Sequence, residues 1–392
     1  MPASRAYLDH NATTPLRPAA RAAKLAAMDL AGNASSVHAE GRAARNLIER
    51  ARAEVAAFAG TEAENVIFTS SATEALNLVL VPDMRIAGID VHFDVLLIAG
   101  GEHVCVREGH RFAQEHVEIL PLTSAGEVDL AALDLALTGH AGRRVMLALQ
   151  AANNETGVIQ PVAEAARRVH AAGGFVVCDV VQAAGRVDAS FAALGADALA
   201  ISAHKIGGPK GIGALCFAAR RHHIDNRLLR GGGQERGARA GTENIAAIAG
   251  FSAAIEAVAA SAKAEAARLA IWRDDVEAEI AAVAPQVLFF GATAQRLPNT
   301  SCFAVAGVDA QVLLMSLDVE GVAVSSGSAC SSGKVKPSHV LAAMGVGPDL
   351  AKGAIRLSLG WNTRIEDLQM FMRAFEKSIR TIGARQVKPA AA

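Results

Sequence analysis

Four groups of residues in this 392-residue chain could do chemistry together, and each follows a short apolar run. Phe175-Val176-Val177-Cys178 runs into Asp179, and Ala198–Ser202 runs into Ala203-His204-Lys205. Val66–Thr69 runs into Ser70-Ser71-Ala72-Thr73-Glu74, and the run at 145–150 leads to Asn153-Asn154-Glu155-Thr156-Gly157. Taken singly, each is ordinary: an Asp after a strand caps a turn, a Lys sits on the surface, and Asn-Asn before Gly builds a turn. Together they offer a lysine amine that can condense with an aldehyde, an acid that can keep a ring nitrogen protonated, and hydroxyls at a helix N-terminus that can hold a phosphate. Those are the parts of a pyridoxal phosphate site.

The five cysteines, Cys105, Cys178, Cys216, Cys302 and Cys330, divide by setting. No CxxC pair exists, so neither a zinc knuckle nor a redox pair is indicated, and an odd, sparse count does not fit a disulfide scaffold. Cys178, Cys216 and Cys302 stand in or beside apolar strands, and Cys105, close to His103, also reads as a packed strand residue. Cys330 lies in Ser325-Ser326-Gly327-Ser328-Ala329-Cys330-Ser331-Ser332-Gly333, which has almost no side-chain bulk to pack. Either it is an incidental surface thiol or it is exposed for a purpose. A reactive role would need a neighbouring charge or base, since a free thiol is only slightly ionised near neutral pH.

These groups need a scaffold that brings strand ends together. Apolar runs at Val66–Thr69, Val95–Ala99, 145–150, Phe175–Asp179, Ala198–Ser202 and 214–217 alternate with helical patterns. The helix predicted over 42–59 puts Ile48, Ala51, Val55 and Phe58 on one face, and that over 162–172 ends at Gly173-Gly174. Such alternation predicts an α/β fold with a mostly parallel sheet covered on both faces, whose ligands bind beyond the strands' carboxyl ends. After Thr242 the texture changes. A long helix runs from Ile245 to about Ile280, followed by strands near 287–290 and 302–305, a helix over 308–317 and a final helix over 365–382. We expect a large domain over 15–255 and a smaller α+β domain over 256–392, joined by residues 1–14, that carries the 325–333 loop.

Composition narrows the function classes. The chain is 52% hydrophobic and 20% charged, which rules out intrinsic disorder. Its net charge of −1 argues against a nucleic-acid binder. The opening MPASRAYLDHNATTP has no apolar core of a signal peptide, and the apolar stretch at 245–262 is interrupted by Glu256 and rich in Ala, so no membrane span is expected. A cytoplasmic globular enzyme is the expectation.

In order along the chain, Tyr7-Leu8-Asp9-His10-Asn11-Ala12-Thr13-Thr14-Pro15, Gly32-Asn33-Ala34-Ser35-Ser36-Val37-His38, Phe68-Thr69-Ser70-Ser71-Ala72-Thr73-Glu74-Ala75, Glu102-His103, Asn153-Asn154-Glu155-Thr156-Gly157, Ser202-Ala203-His204-Lys205, Gly231-Gly232-Gly233-Gln234-Glu235-Arg236, Arg239-Ala240-Gly241-Thr242 and Ser325-Ser326-Gly327-Ser328-Ala329-Cys330 resemble the class I cysteine desulfurases of the NifS/IscS type. Ser71 and Ala203 stand where that family usually has Gly, and His10 where Asn or Tyr is commoner.

The resemblance implies the fold-type I architecture of pyridoxal phosphate enzymes and a set of roles. Lys205 would carry the cofactor and Asp179 would pair with its ring nitrogen. Gln182 would meet the ring oxygen, and His103 would stack on the ring and move protons. Ala72, Thr73, Ser202 and His204 would hold the phosphate, with Thr242 supplied by the second subunit of a homodimer. Asn154 and Arg356 would bind the carboxylate of L-cysteine, which a guanidinium fork suits on geometry alone. Cys330 would be the nucleophile that carries sulfur as a persulfide to an acceptor or iron–sulfur scaffold protein. No metal site is implied, although a transferred cluster would meet the chain at Cys330. A selenocysteine lyase or another pyridoxal phosphate lyase would share this fold, and a non-catalytic sulfur carrier would not need Lys205, Asp179, His103 and Cys330 together. A nucleotide-binding protein is disfavoured because Gly207-Gly208-Pro209-Lys210-Gly211 does not match a P-loop.

Overall fold

Short runs of β-branched and aliphatic residues, bounded by polar or glycine turns, form the centre of the molecule. The computed structural model describes residues 5–386 except 87, 220–221, 224–226 and 327–337. Val66–Thr69, Val95–Ala99, Phe175–Asp179 and Ala198–Ser202 are strands with the limits expected from sequence, and the run at 145–150 is a strand over Val145–Ala148. With Gly213–Phe217 and Val117–Leu120 they form a seven-stranded sheet. From one edge the order is Val66–Thr69, Gly213–Phe217, Ala198–Ser202, Phe175–Asp179, Val145–Ala148, Val95–Ala99 and Val117–Leu120. Gly213–Phe217 is antiparallel to both its neighbours, and the remaining pairings are parallel.

Side chains alternate between the two faces of these strands, and both faces are covered. Leu97, Leu147, Val176 and Leu199 pack with Ile48, Ala51 and Val55 of the helix Ala39–Ala59. Leu96, Met146, Val177 and Ala200 pack on the other face with Leu76 and Val79 of the helix Ala72–Val79.

The helix Ile245–Val283 serves two cores. Ile248, Phe251, Ile255 and Val258 join the cluster on the large sheet, where Phe251 meets Phe68 edge to face. Leu269, Val276 and Ile280 instead join Phe303, Leu357, Phe371 and Phe375. One window of this helix is apolar enough to cross a membrane by length and composition, but here its apolar side chains are spent on these two clusters. The second cluster covers a four-stranded antiparallel sheet in the order Val287–Phe289, Thr300–Val305, Ile355–Ser358 and Ser325–Ser326. Ala6–Tyr7 pairs in parallel with Val322–Ala323, and Asp9 bridges Ser358, so the chain's first residues are stitched to its last third.

The strands Val117–Leu120 and Ile355–Ser358 were not expected from the sequence, and neither was a small separate sheet. Asp83–Ile86 and Ile89–His92 form a hairpin, extended by His222–His223. Asp83, Arg85, Asp90 and His92 interrupt its apolar residues, so no buried-strand signal arises.

Candidate active site

Parallel strands that share a sheet end on the same side, so the residues following them converge. They do so here around a cavity of about 260 Å³. Ala72, Thr73, His103, Asn154, Asp179, Gln182, Ser202, His204, Lys205 and Arg356, the residues to which the resemblance gave roles, all line it. Thr242 does not: it is exposed and lies outside this cavity. Cys330 lies outside the described residues.

Asp179 ends its strand with one carboxylate oxygen taken by the Val181 N–H at 2.8 Å. Burial pushes its pKa up to about 6, against the opposing pull of that hydrogen bond and of Lys205. A carboxylate held this way needs a cationic donor to stay ionised, and a protonated ring nitrogen is one. Lys205, at the end of the short turn Ala203–Lys205, donates from Nζ to the carbonyls of Asn11 and, at 2.9 Å, Ala12. Two carbonyls thus hold the amine at the cavity wall.

The helix Ala72–Val79 begins at the cavity. Ser71 caps it, its hydroxyl accepting the Glu74 N–H at 3.2 Å. Ser71 is in extended backbone, which a side chain tolerates, so replacing the usual Gly here gains a cap. The first amides of a helix have no intrahelical acceptor, which makes the Ala72 and Thr73 end ready for a phosphate. Ser202 and His204 border the same cavity, and His204 Nδ1 is 3.1 Å from the Thr13 hydroxyl. Burial, then Lys205 and Lys210, lower the His204 pKa to about 4, so its ring is neutral.

His103 caps the short helix Val104–Arg107, its Nδ1 accepting the Cys105 N–H at 3.2 Å. The Cys105 thiol lies 2.9 Å from the same nitrogen. Burial raises the pKa of this thiol, with Asp179 and Glu102 adding to the effect, so it remains an S–H donor. Two donors at Nδ1 leave the neutral ring's proton on Nε2. Burial, then Lys205, lowers the His103 pKa. Cys105 is therefore not the packed strand residue expected: it stands on a helical turn and lines the cavity. Glu102 beside it is fully buried, one oxygen accepting the Gln150 N–H at 2.5 Å, and burial pushes its carboxyl pKa well above the ordinary value.

Arg356 comes from the strand Ile355–Ser358 of the second sheet and is 2% exposed. It donates to the Asn154 carbonyl at 3.0 Å and to Asp9 at 2.7 Å, while its Nε has no partner. A buried guanidinium with an unmet donor at a cavity wall fits a ligand carboxylate. Asn153, adjacent to Asn154, has a different task. Its side-chain oxygen accepts the N–H groups of Glu155 and Thr156, closing the turn that ends at Gly157. Gly157 has φ of +75°, and a Cβ there would meet Thr300 at 2.8 Å.

A protonated ring nitrogen, an aldehyde, a phosphate and a carboxylated substrate thus each find a matching group, and the residues fit pyridoxal phosphate. Residues 6–371 match the family Aminotransferase class-V. The chain belongs to that family. Within it, the chain is 37% identical over 391 residues to the cysteine desulfurase IscS of Dictyoglomus turgidum, covering 98% of this chain and 96% of that one. It is 39% identical over 368 residues to the IscS-like cysteine desulfurase of Mycobacterium tuberculosis, covering 92% of each. The solved structure of a NifS-like protein from Rickettsia africae superposes with a TM-score of 0.86 at 32% identity, covering 96% of this chain and 99% of that one. The chain is thus a pyridoxal phosphate enzyme of the class-V aminotransferase family, similar along nearly its whole length to cysteine desulfurases.

Sequence reasoning gave no role to Asn11, Ala12, Gln150 or Val181, which also line the cavity. Asn11 and Ala12 act through backbone carbonyls, which no side-chain signal reveals.

Proposed function

We infer that this protein is a cysteine desulfurase that takes sulfur from L-cysteine and leaves L-alanine. The observation that carries the reading is the convergence of Lys205, Asp179 and Arg356 on one cavity, from two sheets that are remote in sequence. Bound pyridoxal phosphate supplies an aldehyde that an amine can capture and a ring that accepts an electron pair from the substrate's Cα.

The chain's own residues do the rest. Arg356 and Asn154 bind the substrate carboxylate and fix which substituent faces the ring. Asp179 would hold the proton of the cofactor's ring nitrogen, and Ala72, Thr73, Ser202 and His204 would hold its phosphate. Lys205 moves the proton at Cα. The His103 ring, proton on Nε2, would lie against the cofactor and move a second proton. The Cys330 thiolate attacks the substrate sulfur. A new S–S bond forms, the substrate C–S bond breaks, and its electron pair stays with the three-carbon fragment, which takes up a proton and leaves as L-alanine. Cys330 is left as a persulfide.

We further propose that the persulfide passes its outer sulfur to an acceptor or iron–sulfur scaffold protein in the cytoplasm. The enzyme works as a homodimer in which Thr242 serves the phosphate of the other copy. Its exposed position, away from the cavity of its own chain, supports this.

The test is alanine and sulfide release from L-cysteine with a thiol reductant present. Alanine formation with sulfide in equal amount is expected. A loaded enzyme that turns L-cysteine into anything other than alanine would overturn the reading.

A further inference from the structure

Gln182 is buried, and the orientation of its amide is fixed by its neighbours. Arg186 stands four residues on, one helical turn away, and its Nη1 donates to the Gln182 carbonyl at 2.9 Å and to the Gln182 Oε1 at 2.6 Å. A guanidinium can only donate, so the atom facing it must be the amide oxygen. The Gln182 Nε2 therefore points the other way, and it donates to the Asn11 carbonyl at 3.0 Å. That carbonyl also accepts from Lys205 Nζ. The result is a continuous line of hydrogen bonds from Arg186 through Gln182 to the oxygen that holds the Lys205 amine, with Gln182 at the cavity wall.

We propose that Arg186 is a positioning residue: by taking the Gln182 oxygen, it turns the Gln182 amide nitrogen toward the Asn11 carbonyl and the cavity, where the remaining N–H faces the cofactor's ring oxygen beside Lys205. This rests on the pyridoxal phosphate reading above and extends it to a residue outside the cavity wall. Amide oxygen and nitrogen have nearly the same size, so without Arg186 the Asn11 carbonyl alone is left to hold the Gln182 amide in this orientation. Whenever the amide turns over, an oxygen faces the negatively charged ring oxygen, and the site loses a donor.

The charge of Arg186 adds to the effect. Burial, then the like charge of Arg356, lowers the Arg186 pKa to about 10. The other titratable groups around this line are His10, Arg17, Asp179, Lys205 and Glu265, the last paired with Arg17. A cation that polarises the Gln182 amide strengthens its N–H as a donor.

The experiment is a pH titration of the visible absorbance of the enzyme loaded with pyridoxal phosphate, in wild type, Arg186→Met, Gln182→Met and the double variant. Losing a donor to the ring oxygen makes the nitrogen joining Lys205 to the cofactor hold its proton more tightly. The titration midpoint should therefore rise by about one pH unit in Arg186→Met. Gln182→Met should rise by a similar amount and the double variant no further, because one residue acts through the other. Arg186→Lys, which can still donate to the Gln182 oxygen, should recover most of the wild-type midpoint. An unchanged midpoint in Arg186→Met with cofactor bound, or additive shifts in the double variant, would overturn the proposal. If the Arg186→Met chain does not fold, Arg186→Lys decides: a midpoint raised as far as that of Gln182→Met, although a donor remains at 186, would overturn the proposal. A wild-type protein that develops no visible band with pyridoxal phosphate would instead count against the cofactor reading itself.

Discussion

Arg356 Nη2 donates to the Asp9 carboxylate at 2.7 Å, joining two ends of the chain in the wall of one cavity. The contact leaves the Arg356 Nε unpartnered although it is buried. Lysine at this position would keep a charge and lose the fork. Arg356→Lys should raise the KM for L-cysteine by about tenfold or more, since charge-assisted bidentate pairs are the strong ones. Affinity for pyridoxal phosphate should hold if Arg356 meets the substrate and not the cofactor, as proposed. Steady-state kinetics and a cofactor titration separate the two; equal losses in both would show that Arg356 supports the cavity in general.

Cys330 and Lys205 should fail in different ways. Cys330→Ala should bind pyridoxal phosphate and L-cysteine with the usual spectral changes and yet release no sulfide. Lys205→Ala should lose both the covalent cofactor band and alanine formation. Sulfide release from Cys330→Ala at the wild-type rate would remove Cys330 from the mechanism.

Two buried carboxyls should each stabilise the cofactor-free protein less as pH rises. Burial raises Asp179 to about 6 and Glu155 to about 7, both above their ordinary carboxylate values. The folded state then binds these two protons more tightly than the unfolded state, so their contribution falls as pH rises from about 4 to about 7. Buried histidines act the opposite way: His10, lowered to about 3, and His204, lowered to about 4, contribute more as pH rises toward about 6.5. The carboxyl share is therefore read as a difference, from the Tm of cofactor-free wild type and Asp179→Asn at about pH 5.5 and about pH 8. Asp179→Asn, uncharged throughout, should gain Tm relative to wild type between those two pH values. The same variant should bind pyridoxal phosphate more weakly.

Much of this site was legible because strand ends carry their functional residues in sequence order. Asp179 and Lys205 follow strands whose limits were read to the residue, since Phe175–Asp179 and Ala198–Ser202 are buried runs between clear turn signals. Arg356 was reached only through family resemblance: the strand Ile355–Ser358 is short, and a buried arginine breaks its apolar pattern. Cys105 was misread because Val104-Cys105-Val106 looks like a short apolar run, while His103 capping the Cys105 amide starts a helical turn. Arg186 gave no sign at all, since its partner is a glutamine oxygen four residues earlier.

A buried ion pair outside the cavity should govern stability. Arg52 donates to Glu235 at 2.6 and 3.0 Å, and Glu235 also accepts the Phe68 N–H at 2.9 Å. Both side chains are nearly inaccessible to water. Glu235 takes this place with a positive φ of 49°, a conformation that a non-glycine residue adopts at a cost. Glu235→Gln leaves Arg52 with the half-exposed Glu49, 3.2 Å away, as its remaining counter-charge and should destabilise the fold by about 2 kcal/mol or more, measured by urea unfolding. A loss within experimental error would mean that water reaches the pair.

The N-terminal segment has a practical bearing on how the enzyme can be cut or fused. Residues 6–9 are pinned to the second sheet, and the carbonyls of Asn11 and Ala12 grip the Lys205 amine a few residues later. Losing residues 6–17 would take away the acceptors of the Lys205 amine while removing only a sliver of mass. A fusion joined ahead of Ala6 leaves the pairing with Val322–Ala323 and both acceptors in place.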